Sequence, residues 1–189
     1  TFTIDRGVKA GQWPKPPGNS LADKTVALIG FGDIGRNTAK RLLACEMKVV
    51  VYDPFYKPAP GLEAVESARW PDRLAEADFI VVTCALTPEN RHLINAATLA
   101  AAKPGVRLIN VSRGPLVDES ALAAALQSGH VRSAALEVAE VEPLPAESPL
   151  RHFGDRVLFG SHNASNTQEA VNRTSHKAIE LLDGFLKKS

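Results

Sequence analysis

The sequence predicts an α/β fold, a doubly wound parallel sheet in three αβα layers, and three observations carry that expectation. Short apolar runs alternate with helical patterns from Thr25 to the C-terminus. Those runs are continuous in valine, isoleucine and leucine rather than alternating with polar residues, as in strands covered on both faces. The first run, finally, ends in Gly30-Phe31-Gly32-Asp33-Ile34-Gly35, a glycine-rich turn leading into a helical pattern.

Taken in order, Thr3 to Gln12 is expected as a short helix closed by Gly11. Pro14, Pro16, Pro17 and Gly18 then exclude regular helix or central strand and form a connector. Strands are expected at Thr25 to Ile29, Lys48 to Tyr52, Phe79 to Thr83, Arg107 to Val111, Ser133 to Val138 and Arg156 to Phe159. Between them lie helices at Ile34 to Ala44, Asn95 to Ala102 and Asp118 to Ser128, and a short amphipathic piece, Arg73 to Ala77, precedes the third strand. Asp118 suits the first free N–H groups of its helix and Gly129 supplies the stop. A last helix, about Thr167 to Lys187, ends in Lys187 and Lys188, a solvated turn that suits a helix C-terminus.

Bulk properties narrow the function classes. The chain has 189 residues, enough for one well-buried domain. A formal net charge of +1 gives no long-range attraction to nucleic acid or to an anionic membrane, so neither is expected as a partner. No apolar run approaches the roughly 18 residues a bilayer span requires. The two cysteines, Cys45 and Cys84, build no disulfide framework, which points to a reducing, cytoplasmic setting.

The glycine loop carries specific chemistry because of its context, strand before and helix after. Gly30 permits the tight turn, Gly32 lets the backbone approach a pyrophosphate, and Gly35 allows close helix–strand packing. Asp33 and Ile34 open the helix, whose N-terminus aims N–H groups and partial positive charge at anionic phosphates. The second strand ends in Asp53, about 20 residues beyond the loop, where a carboxylate accepts the ribose hydroxyls and repels a 2′-phosphate. The expected cofactor is therefore NAD, held in a Rossmann-type fold.

Three polar residues follow expected strand ends, where open α/β sheets bind ligands: Arg113, Glu142 and His162. Hydride transfer to a 2-oxo acid needs a cation for the carboxylate and a proton donor for the developing alkoxide. Arginine grips both carboxylate oxygens at once, histidine gives a proton near neutral pH, and a neighbouring carboxylate keeps that histidine charged.

Residues 21–185 closely resemble the cofactor domain of the D-2-hydroxyacid dehydrogenases. The stretches that carry the resemblance are Leu28 to Arg36, Val51 to Pro54, Leu86 to Asn95, and above all Asn110-Val111-Ser112-Arg113-Gly114-Pro115-Leu116-Val117-Asp118-Glu119. Glu142-Pro143-Leu144-Pro145 and Ser161 to Thr167 complete it, in order and at fitting separations. The resemblance implies Arg113 as the substrate-binding arginine, His162 as acid/base and Glu142 as its partner. It also places Cys84, Val111, Ser112, Arg113, Glu137, His162, Asn163 and Ala164 against the nicotinamide half of the cofactor.

There are departures. Glu137 stands where this family usually has aspartate, Ala139 where an aromatic is common, and Ser161 where proline often precedes the histidine. The family also has a substrate domain. Here Thr1 to Ser20 look like the end of the interdomain helix plus a connector, and residues 21–189 like the cofactor domain, so the substrate domain is expected to be largely absent, through design or proteolysis.

Of the remaining residues, His92, His130, His152 and His176 read as surface or capping groups, and no metal site is expected. Cys45 reads as a buried helix residue, and Trp13 and Trp70 as packing residues. The resemblance implies a small-molecule 2-hydroxy or 2-oxo acid substrate and a homodimer formed through the cofactor domain. It leaves phosphoglycerate, glyoxylate or hydroxypyruvate, and lactate-type substrates open. The alternative is a non-catalytic NAD(H)-sensing protein like the family's co-repressors, although the residues after His162 lack the aromatic those relatives carry.

Overall fold

The computed structural model describes residues 2–187. Seven strands form one sheet: β1 (Thr25–Ile29), β2 (Lys48–Tyr52), β3 (Glu66–Ser67), β4 (Phe79–Val82), β5 (Val106–Asn110), β6 (Val131–Leu136) and β7 (Val157–Phe159). They run in the order 3-2-1-4-5-6-7, and every neighbouring pair is parallel. The helices are α1 (Phe2–Lys9), α2 (Asp33–Ala44), α3 (Ala96–Ala101), α4 (Glu119–Ser128) and α5 (Gln168–Leu186). The order reverses between β1 and β4, which opens a crevice at the carboxyl ends of those two strands.

Alternation along the strands divides the core between the two faces of the sheet. Val26, Leu28, Val49, Val51 and Val81 pack with Ala39 and Met47 on the side of α2. Ala27, Ile29, Val50, Ile80, Val82 and Leu108 pack with Leu99, Leu122 and Leu126 of α3 and α4 on the other. Each fully buried leucine or isoleucine contributes about 1.5–3 kcal/mol, so the central strands and α4 hold most of the stability. The local stops work as the residue types demand. Asp118 accepts the Ala121 N–H at 2.9 Å at the start of α4, and Gly129 ends it in the left-handed region at φ 80°.

Four expectations change. A seventh strand, β3, joins the edge beside β2, and its Glu66-Ser67 sequence shows no apolar pattern to announce it. The short amphipathic piece Arg73 to Ala77, as expected, is one 3-10 turn, Leu74–Glu76, with Leu74 buried and Arg73 bound to Glu66 and Glu76. Coverage on both faces holds for β1, β2 and β4. In β5 and β6 the residues facing the α2 side are only half-buried, and no residue of α5 is buried. Cys45 is exposed at the C-terminus of α2, and Trp13 is exposed rather than packed. Trp70 does pack, its ring edge-on to Tyr52 at 5.2 Å.

Candidate active site

The glycine loop closes the gap between β1 and α2, and each glycine meets a different constraint. Gly30 has φ +96°, and a Cβ there would lie 2.6 Å from the Cys84 backbone nitrogen. A Cβ on Gly35 would lie 2.2 Å from the Gly30 carbonyl oxygen, so the first turn of α2 reaches the loop only through glycine. Gly32 is different. It caps α2, and a Cβ there would enter open space with no protein atom within 4 Å. Two glycines thus shape the loop, and the third leaves room beside the free N–H groups of the helix start, a cradle that fits a pyrophosphate. Asp33 and Ile34 are exposed there, with Asp33 paired to Arg36 at 2.9 Å.

Asp53, at the end of β2, sits against this loop. Its Oδ2 accepts the Phe31 N–H at 2.6 Å and its Oδ1 the Phe55 N–H at 2.8 Å. The carboxylate fastens the loop to β2, and each of its oxygens keeps a lone pair able to accept a further hydrogen bond. This loop-fastening role was not legible in the sequence, because it joins two strand ends.

Beyond β4 and β5 the crevice continues. Cys84 backs the glycine loop, half-buried, and burial pushes its thiol up from the usual range. The Ser112 hydroxyl donates to the Cys84 carbonyl. The Ser112 N–H donates to the buried Asn110 side chain at 3.0 Å, whose amide in turn donates to the Arg113 carbonyl at 2.9 Å. Asn110 therefore sets the turn that leaves Val111 part-exposed and brings Arg113 out at the sheet edge, its Nη1 donating to the Ser112 carbonyl at 2.7 Å.

The third group lies where β6 and β7 end. His162 Nδ1 and Glu142 Oε2 are 2.8 Å apart, and Glu142 Oε1 accepts the Ala139 N–H at 3.1 Å. The hydrogen bond from His162, the Ala139 N–H and the charges of His162 and Arg113 hold the Glu142 carboxyl below the usual carboxylate range. His162 has φ +57°, and its N–H donates to the Glu137 carbonyl at 2.8 Å. The Glu137 carboxylate accepts the N–H groups of both Asn163 and Ala164, the latter at 2.7 Å. An apolar-floored cavity of about 580 Å³ opens beside this group, lined by Leu136, Ala139, Pro143, Phe159 and His162 among others.

One neighbouring cluster escaped the sequence reading. Glu119 and Glu140 exchange backbone hydrogen bonds, the Glu140 N–H to Glu119 Oε1 at 2.7 Å and the Glu119 N–H to Glu140 Oε1 at 2.9 Å. His92, expected as a surface or capping group, places Nε2 2.8 Å from Glu140 Oε2, and Arg91 reaches the same oxygen at 3.3 Å. The cluster ties the segment before Glu142 to the start of α4. Partners 21 and 48 residues apart leave no local pattern to read. Among the described residues no group of three or more His, Cys, Asp or Glu side chains is arranged to hold a metal ion. No helix among them is long and apolar enough to cross a membrane.

Comparison with known proteins agrees with this geometry. Residues 1–164 match the family profile of the D-isomer specific 2-hydroxyacid dehydrogenase NAD binding domain. The chain is 40% identical over 179 residues to D-3-phosphoglycerate dehydrogenase of Mycobacterium leprae (strain TN), covering 93% of this chain and 34% of that one. It is also 40% identical over 183 residues to hydroxypyruvate reductase of Thermotoga maritima, covering 95% of this chain and 58% of that protein. A D-isomer specific 2-hydroxyacid dehydrogenase from Xanthobacter autotrophicus Py2, solved with NADPH and MES, superposes with a TM-score of 0.75 at 40% identity. That match covers 85% of this chain and 51% of the solved one. The chain thus spans between a third and three-fifths of the length of these relatives. With its parallel sheet, glycine loop and strand-end polar residues all inside the matched span, this chain belongs to the D-isomer specific 2-hydroxyacid dehydrogenase family, as its NAD-binding domain.

Proposed function

We propose that this chain is the cofactor domain of an NAD-dependent D-2-hydroxyacid dehydrogenase that interconverts 2-oxo and D-2-hydroxy acids. The observation that carries the reading is the 2.8 Å contact between His162 Nδ1 and Glu142 Oε2, standing on the same sheet edge as the glycine loop. Gly30, Gly32, Asp33, Ile34 and Gly35 hold the pyrophosphate, and Asp53 holds the adenosine ribose and selects NAD over its phosphorylated form. Cys84, Val111, Ser112, Arg113, Glu137, His162, Asn163 and Ala164 surround the nicotinamide half. When bound, that cofactor supplies or accepts the hydride.

The chain's own residues manage charge and protons. With Nδ1 committed to Glu142, the Nε2 nitrogen of His162 is the one that faces substrate, and it gives its proton to the oxygen at C2 as the ketone is reduced. Glu142, held ionised, stabilises the imidazolium before the transfer and fixes the ring's orientation. Arg113 keeps one nitrogen on the Ser112 carbonyl, which leaves further N–H groups of its fork for the substrate carboxylate. Oxidation of the hydroxy acid runs the same path in reverse.

On this reading residues 1–20 are connector, residues 21–189 the cofactor domain, and the substrate domain lies outside this chain, in keeping with its partial cover of the relatives. The same reading makes the protein a cytoplasmic homodimer associating through this domain, supported by its two free thiols and by exposed Leu158, Phe159, Ile179 and Leu182. Isothermal calorimetry on this chain should show NADH binding at micromolar affinity or weaker, with poor turnover. No heat at millimolar cofactor would overturn the assignment. In the full-length protein, His162→Ala should slow reduction of 2-oxo acids by about 10²–10⁴-fold. An unchanged rate would remove His162 from the mechanism.

A further inference from the structure

We infer that Glu137 acts as a positioning residue for His162, clamping the backbone of the loop that carries the imidazole. The inference deepens the dehydrogenase reading and rests on it. Glu137 immediately follows β6, and its own N–H is tied to the Asn110 carbonyl at 2.9 Å, so its backbone is anchored in the sheet. From that base it holds the loop twice. Its carbonyl accepts the His162 N–H at 2.8 Å, and its Oε1 accepts the N–H groups of Asn163 and Ala164, the latter at 2.7 Å. Three consecutive N–H groups, those of residues 162, 163 and 164, therefore end on one glutamate.

Such a grip answers a specific need. His162 has φ +57°, a region that a residue with a Cβ occupies only when its surroundings hold it there. The two lone pairs of Oε1 are taken by the loop, and an ionised carboxylate donates nothing. Oε2 lies against Gly160, where an added Cβ would come within 2.0 Å of it, so glycine at that position makes room for the carboxylate. Side-chain length matters as well. An aspartate would withdraw the carboxylate by one C–C bond, about 1.5 Å, and could not reach both N–H groups from the same backbone. Glu137 thus meets the nicotinamide half through the histidine loop that its carboxylate holds.

The test uses Glu137→Gln, Glu137→Asp, Glu137→Ala and Gly160→Ala in this chain, followed by NMR without cofactor or substrate. Gln keeps the accepting Oε1 and should preserve the amide proton shifts of Asn163 and Ala164. Asp, Ala and the Gly160 variant should move those amides upfield and weaken the hydrogen-bonded Nδ1–H signal of His162. In the same three variants the carboxyl carbon of Glu142 should titrate closer to an ordinary glutamate. NADH affinity is measured in parallel, and any loss should track the amide shifts, because Glu137 acts on the nicotinamide half through the loop it holds.

Unmoved amides in Glu137→Ala, or Gln behaving like Ala, would overturn the clamp. A tenfold loss of NADH affinity with unmoved amides would likewise overturn it in favour of direct cofactor contact. Should Glu137→Ala fail to fold, the comparison of Gln with Asp decides. Loss of NADH binding by the unaltered chain would instead refute the dehydrogenase reading, and the NMR comparison stands apart from that result.

Discussion

His162 Nδ1 lies 2.8 Å from Glu142 Oε2, although the two residues are 20 positions apart and leave the sheet from different strands, β7 and β6. Two adjacent parallel strands end side by side, and each hands one residue to a shared point above the sheet edge.

That contact has a titration signature. The hydrogen bond from His162 holds the Glu142 carboxyl below its reference value of 4.5. A carboxylate depressed in the folded state stabilises the fold above its unfolded value, and the contribution fades as pH falls through the folded value. The loss therefore begins below about pH 4.5. His162→Ala should return the Glu142 titration upward, read by carbon NMR of the carboxyl. An unchanged curve would show that the pair does not form in solution.

Glu119 should behave with the opposite sign. Burial, with the neighbouring Glu140 charge adding to it, raises its carboxyl above the reference 4.5. The folded state then binds that proton more tightly than the unfolded chain, and the contribution present at low pH is lost as pH rises through the folded value. Glu119→Gln keeps the acceptor for the Glu140 N–H and removes the charge. Its urea midpoint should exceed that of the unaltered chain at pH 7. The gap should close towards pH 4, and a gap that is independent of pH would contradict the assignment.

The glycines of the loop should separate into two kinds. Gly35→Ala drives a methyl into the Gly30 carbonyl and should cost about 1–3 kcal/mol in urea denaturation. Gly32→Ala meets no protein atom, and its backbone, at φ −71°, accepts a side chain. Its stability should change by only about 1 kcal/mol or less, as for other substitutions at a helix cap. NADH affinity should nevertheless fall by at least about tenfold, since the methyl occupies the space left for the pyrophosphate. Equal affinity in calorimetry would move the phosphate away from Gly32.

Asp53→Ala should touch both folding and binding. The Phe31 and Phe55 N–H groups lose their acceptor, at a cost of about 1–3 kcal/mol where water cannot replace it. The ribose loses its acceptor as well. Asp53→Asn, which keeps one carbonyl oxygen, should recover part of the stability and less of the NADH affinity. Identical losses in the two variants would mean that the carboxylate charge carries both roles.

The fold was legible because its signals are local. Val26 to Ile29 and Val49 to Val51 read as doubly covered strands from their unbroken apolar character, and Asp118 and Gly129 mark the ends of α4 by backbone chemistry alone. The glycine loop was legible for the same reason, since turn, capped helix and strand are consecutive in the chain. β3 was not, because two polar residues at a sheet edge are recruited by pairing with β2 rather than by any preference of their own. Cys45 went wrong because helical spacing gives a face but not whether anything covers it.

The sequence by itself determined the parallel α/β architecture and the glycine loop between strand and helix, and it singled out Asp53, Arg113, Glu142 and His162 as candidates. Tertiary structure alone decided how those residues are held. The Asp53 contact with Phe31, the Glu119–Glu140 exchange with His92, and the Glu137 grip on residues 162–164 all join segments far apart in the chain. A hydrogen bond needs its donor and acceptor within about 3 Å, and only the stacking of strand ends in the folded sheet brings such distant segments that close.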